Sequence, residues 1–105
     1  MLTTEQRNKM AGFLYDRVRD DKNNAISVFD TVSESWILFR PSFEEIFKAM
    51  VCECKKRDFD IVFRNGWIVI EEDHNIPDYG PEEHFSELFD NESICLAYLA
   101  VMESI

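Results

Sequence analysis

Asp58-Phe-Asp-Ile-Val-Phe-Arg64 and Trp67-Ile-Val-Ile-Glu71 are two β-prone runs separated only by Asn65-Gly66, and the rest of the chain is arranged around the hairpin they imply. Asn-Gly is the strongest short hairpin signal, because both residues tolerate the positive φ of a type I′ turn. With those two residues as the loop, Arg64 pairs with Trp67, Phe63 with Ile68, Val62 with Val69, Ile61 with Ile70 and Asp60 with Glu71. Side chains alternate across a strand, so Phe59, Ile61, Phe63, Ile68 and Ile70 share one apolar face. Val62, Val69, Arg64, Trp67, Asp60 and Glu71 take the other. This register sets two carboxylates, Asp60 and Glu71, directly opposite each other, at a cost of roughly 0.2–1 kcal/mol relative to a neutral pair.

Working back toward the N-terminus, Ser42-Phe-Glu-Glu45 reads as a capping box immediately after Pro41. Phe43, Ile46, Phe47, Met50, Val51 and Cys54 then form an apolar stripe at helical spacing, Glu44 and Lys48 can pair at i,i+4, and Lys55-Lys-Arg57 suits a helix C-terminus. Ala25-Ile-Ser-Val-Phe-Asp30 and Trp36-Ile-Leu-Phe-Arg40 read as a second strand pair joined by residues 31–35, with the apolar run 36–39 suited to a central strand buried on both faces. Thr3-Thr-Glu-Gln6 is another capping box, and Met10, Phe13, Leu14 and Val18 continue it as a helix from residue 4 to about 21, ended by the polar run 20–24.

Beyond the hairpin, residues 73–80 form a turn-rich loop. Pro81 suits the first position of a short helix with Glu82 and Glu83 in its first turn and Phe85, Leu88 and Phe89 on its buried side. Asn91 is placed to cap a last helix, 92–103, with Ile94, Ala97, Tyr98, Val101 and Met102 along one face. The order α-β-β-α-β-β-α-α predicts a single α+β domain spanning 1–105, a mostly antiparallel four-stranded sheet packed with helices.

Charge is distributed far less evenly than the apolar residues. The net charge is −10; residues 1–64 carry 11 acids and all 11 bases, whereas residues 65–105 carry 10 acids and no base. A one-sign surface of this kind steers cationic partners and disfavours direct contact with nucleic acid or an anionic membrane. The 46% hydrophobic content and nine phenylalanines suffice for a packed core. No run approaches the length of a membrane span, the N-terminus lacks the pattern of a secretory signal, and three cysteines do not make a disulfide framework. The expected setting is therefore cytoplasmic and reducing.

The acids Glu71, Glu72, Asp73, Asp78, Glu82, Glu83, Glu87, Asp90 and Glu92, with Asp60 and Trp67, are the candidate partner-binding residues. On the expected short helix Glu83 and Glu87 stack at i,i+4, where like charges repel. A sequence shaped for stability alone would place a lysine in such pairs; a surface shaped for a basic groove keeps them acidic. Trp67, at the hairpin tip, either packs beneath the terminal helices or serves as an exposed anchor. His74 and His84 lie among acids without His-x-x-x-His or Cys-x-x-Cys spacing, so no metal or cofactor is expected. Cys54 and Cys95 sit on apolar stripes as small buried residues, and neither a paired-carboxylate nor a nucleophilic catalytic site is singled out.

Phe63-Arg-Asn-Gly-Trp67 followed by acids is similar to a segment of some anti-CRISPR inhibitors of CRISPR effector nucleases, and in size and acidity the chain resembles the phage-borne DNA-mimic inhibitors. The resemblance covers about 30 residues. It implies a non-enzymatic inhibitor or interaction protein that offers a nucleic-acid-like acidic surface to a basic nucleic-acid-binding protein, such as a CRISPR effector or nuclease. Alternatives are an immunity protein neutralising a basic nuclease toxin, a structural subunit, or a small acid-base or metal enzyme.

Overall fold

In the computed structural model, which describes residues 2–20, 25–72, 80 and 82–104, the hairpin pairs in the register expected from its turn. Strand β4 (Phe59–Arg64) and strand β5 (Trp67–Glu72) are antiparallel, with Asp60 opposite Glu71 and Arg64 opposite Trp67. Asn65 and Gly66 have φ of 51° and 82°, the left-handed pair that a type I′ turn requires. Ile68 and Ile70 are fully buried.

The described residues fall into two compact units, Met1–Ser42 and Phe43–Ile105. Each has its own three-stranded antiparallel sheet, so the single four-stranded sheet expected from the sequence is replaced by two smaller ones. The extra strand in each unit comes from a segment expected to be helical.

In the first unit, helix α1 (Thr4–Leu14) starts at the expected capping box: the Gln6 N–H donates to Thr3 Oγ1 at 3.1 Å and the Thr3 N–H to Gln6 Oε1 at 2.9 Å. It stops seven residues early, at an extended Tyr15, and Val18–Asp20 becomes strand β1. Continuing the helix would have set Asp16 and Asp20 at its negative C-terminal end, where acids are unfavourable. Strand β2 (Ile26–Asp30) lies between β1 and β3 (Ser35–Leu38). The central strand is therefore β2, with Ile26, Ser27 and Val28 buried in succession, and β3 is an edge whose Ile37 and Leu38 remain exposed. Residues 31–34 form the β2–β3 loop. Asp30 holds it by accepting from the Val32 N–H at 3.2 Å and the Ser33 hydroxyl at 2.8 Å. Those bonds favour the ionised carboxylate and lower the Asp30 pKa.

In the second unit, helix α2 (Phe43–Arg57) buries Ile46, Met50 and Cys54 and closes at Asp58, whose φ of 58° is left-handed. The expected Glu44–Lys48 pair forms at 4.0 Å. Helix α3 (Asn91–Glu103) buries Ile94, Ala97, Tyr98, Leu99 and Val101, and packs on α2 and on the sheet. The last turn of α3 has no basic residue; the Arg57 guanidinium from α2 donates to the Ser104 carbonyl just beyond it.

The expected short helix after residue 81 is instead strand β6 (Glu82–Leu88), antiparallel to β5. A helix that short is marginal in isolation, whereas the free edge of β5 offers a ladder of backbone hydrogen bonds. The Phe89 N–H extends that contact to the Gly66 carbonyl at 2.8 Å. The cap of α3 is Asp90, one residue before the expected Asn91: its carboxylate accepts from the Ser93 N–H at 2.7 Å, and Ser93 Oγ accepts from the Asp90 N–H at 2.8 Å. Replacing Asp90 with Ala is expected to lower the stability of this unit by about 1 kcal/mol in urea unfolding, within the usual span for N-caps.

Candidate functional site: the acidic strands of the second unit

The boundary between the units sharpens the charge asymmetry. Residues 1–42 hold six acids and six bases, whereas residues 43–105 hold 15 acids and five bases. The net charge of −10 thus belongs entirely to the second unit.

Within that unit the pairing of β4, β5 and β6 draws five of the predicted acids to one end of the sheet. Asp60 lies opposite Glu71, Glu71 opposite Glu83, and Glu72 opposite Glu82. By alternation, Asp60, Glu71 and Glu83 form a row across one face, and Glu72 and Glu82 a second row on the other. Adjacent strands are about 4.8 Å apart, so neighbouring carboxylates in each row repel. The Asp60–Glu71 opposition is the one read from the hairpin; the rows reach β6 only because that segment is a strand.

The remaining acids go elsewhere. Glu83 and Glu87 are not stacked on a helix but lie four residues apart along β6, about 13 Å. Glu87 sits opposite Ile68 near the turn end of the sheet, where it lines a shallow cleft of about 280 Å³ with Leu88, Asp90, Glu92, Ser93 and Leu96. Asp90 is engaged in capping α3. Trp67 faces Leu88 across the strands, and both are exposed, at 41% and 59%. The predicted patch is therefore two groups at opposite ends of the strands, the five-acid end and the Trp67 end. Asp73, His74, Asp78 and Pro81 lie outside the described residues.

Two cationic or polar groups reach into the five-acid end. Arg64 Nη2 lies 3.5 Å from Glu71 Oε1, a pair with an exposed guanidinium worth about 0–1 kcal/mol. His84 Nε2 lies 3.2 Å from Glu72 Oε1. The β5–β6 register shifts between Ile70 and Glu71, leaving His84 as the extra residue, and its ring stacks on Phe59 with centroids 4.5 Å apart. One ligand atom each from Glu72, Glu82 and His84 lie within 4.8 Å of one another. Sequence spacing gave no hint of this trio: ten residues separate the glutamates, and only strand pairing and the bulge unite them.

The thiols are placed much as their apolar neighbours suggested. Cys54 is buried and its pKa is pushed up to about 11, while Cys95 is half-buried with its pKa also raised, desolvation being the main cause in both. Cys52 is exposed. In the first unit, Arg17 lies over the rings of Phe29 and Trp36 at 4.6 and 5.4 Å, and Arg19 over Trp36 at 4.5 Å. A cavity of about 450 Å³ borders that cluster, lined by Leu14, Tyr15, Asp16, Arg17, Phe29, Asp30 and Thr31. Of its two acids, Asp30 is committed to the β2–β3 loop.

Among the described residues no helix is long and apolar enough to cross a membrane. No protein-family model matches the chain, and no significant match was found to a curated protein or to a solved structure.

Proposed function

We propose that the protein is a non-enzymatic interaction protein whose five-acid sheet end, Asp60, Glu71, Glu72, Glu82 and Glu83, docks onto the basic nucleic-acid-binding surface of another protein. It acts as an inhibitor of the kind that takes the place of nucleic acid in a CRISPR effector or nuclease. The observation that carries this reading is the alignment of carboxylates in rows across three hydrogen-bonded strands. Such rows work against the stability of the sheet, and a complementary cationic surface relieves the repulsion. The hydrogen-bonded strands fix the backbone from which these side chains project, so no backbone ordering is needed on binding. The charge of the second unit adds long-range steering, which speeds association at low salt.

The test is capture from a bacterial lysate on the immobilised full chain, in the presence of EDTA. Basic nucleic-acid-binding proteins are expected to be retained, to elute as salt rises, and to be displaced by double-stranded DNA. The variant with Glu71, Glu72, Glu82 and Glu83 all changed to Ala should retain none of them while keeping its circular dichroism spectrum. Retention that survives these four changes, or that DNA does not displace, rules the reading out.

A further inference from the structure

We propose that Glu72, Glu82 and His84 form a binding site for a divalent transition-metal ion, with Zn²⁺ the best match. The separation of 3.2 Å between His84 Nε2 and Glu72 Oε1 is close to the edge, about 3.3 Å, of a tetrahedron of ligands at ordinary Zn–N and Zn–O lengths. The third donor, a Glu82 carboxylate oxygen, lies within 4.8 Å of both. One imidazole and two carboxylates suit Zn²⁺ better than Mg²⁺ or Ca²⁺, which favour all-oxygen sets. Three protein donors leave a fourth position for water or for a group on a partner.

The fold prepares these donors in two ways. Glu72 and Glu82 are directly opposed on β5 and β6, which sets their carboxylate-bearing side chains side by side on adjacent strands. The β-bulge brings the His84 ring against Phe59 and beside Glu72, where its side chain is only 18% exposed. A bulge is a recurrent means of re-aiming one side chain, and a stacked ring gives up little freedom on binding metal. The site does not depend on the docking role proposed above, since the ion binds the isolated chain.

The experiment is calorimetric titration of the chelator-stripped full chain with ZnCl₂, with MgCl₂ as the comparison. One Zn²⁺ per chain is expected to bind with micromolar affinity, and Mg²⁺ at the same concentrations to give no heat. His84→Ala and Glu82→Gln should each weaken Zn²⁺ binding by about tenfold or more, whereas Cys52→Ser should leave it unchanged. Glu82 is exposed and its replacement is isosteric, so Glu82→Gln carries the test if His84→Ala fails to fold. Absence of zinc heat, binding unaffected by Glu82→Gln, or binding lost in Cys52→Ser overturns the proposal.

Discussion

Ile70→Ala should lower the stability of the second unit by about 2–5 kcal/mol, the range for truncating a fully buried aliphatic side chain. Ile70 has no exposed surface, and it lies on the central strand between Ile61 on β4 and Phe85 on β6. Removing its outer carbons leaves a void among the side chains packed on that face of the sheet, and the hydrogen-bonded strands on both sides limit how far the backbone can move to fill it. Domains of this size are stable by only about 5–15 kcal/mol, so the loss is a large fraction of the total. Phe63→Ala is the control: Phe63 is on the same face but 52% exposed, and its truncation should cost much less. The chain has one tryptophan in each unit, Trp36 and Trp67. Urea unfolding of a Trp36→Phe background followed by fluorescence therefore reports the second unit through Trp67. An Ile70→Ala loss no larger than that of Phe63→Ala would show that β5 is not the centre of this core.

Changing both Glu82 and Glu83 to Lys should move stability and binding in opposite directions. Each new lysine faces a glutamate, Glu72 or Glu71, converting two like-charge oppositions into opposite-charge pairs. At about 0.2–1 kcal/mol per cross-strand pair, the unit should gain roughly 0.4–2 kcal/mol in low-salt urea unfolding. The two changes also move the net charge from −10 to −6, each adding two positive units. Association with the basic partner recovered by capture should slow by about tenfold or more at low salt, with the difference shrinking as screening rises. Lower stability would mean that Glu82 and Glu83 are held by favourable interactions, and an unchanged association rate would remove this sheet end from the docking surface. Performing both measurements in EDTA keeps them independent of metal binding.

The legible and illegible parts of the fold divide by the range of the interaction that decides them. The Asn65-Gly66 turn, the Thr3–Gln6 capping box and the Glu44–Lys48 pair rest on contacts within about five residues and form as expected. Of the six-residue stripe on α2, Ile46, Met50 and Cys54 are buried, Phe47 and Val51 are half-buried and Phe43 is exposed. The segments 15–20 and 82–88 were misread because their local patterns suit a helix: Val18 continues the spacing of Leu14, and Phe85, Leu88 and Phe89 repeat at three and four. What outweighed those patterns was an open strand edge elsewhere in the chain, which no local window contains. The apolar run 36–39 misled for the same reason, since composition cannot say whether a strand has neighbours on one side or two.

By itself, the sequence determined the hairpin register, the opposition of Asp60 to Glu71, the two long apolar helix faces and the concentration of negative charge in the later residues. Each of these follows from neighbours along the chain or from counting. Only the folded chain brought Glu83 into the row of Asp60 and Glu71, set Glu87 opposite Ile68 near the turn, and joined His84 to Glu72 and Glu82. Those placements depend on β6 pairing with β5 and on a one-residue shift within that pairing. In this sheet, side chains ten or more residues apart come together because backbone hydrogen bonds fix which strand lies beside which.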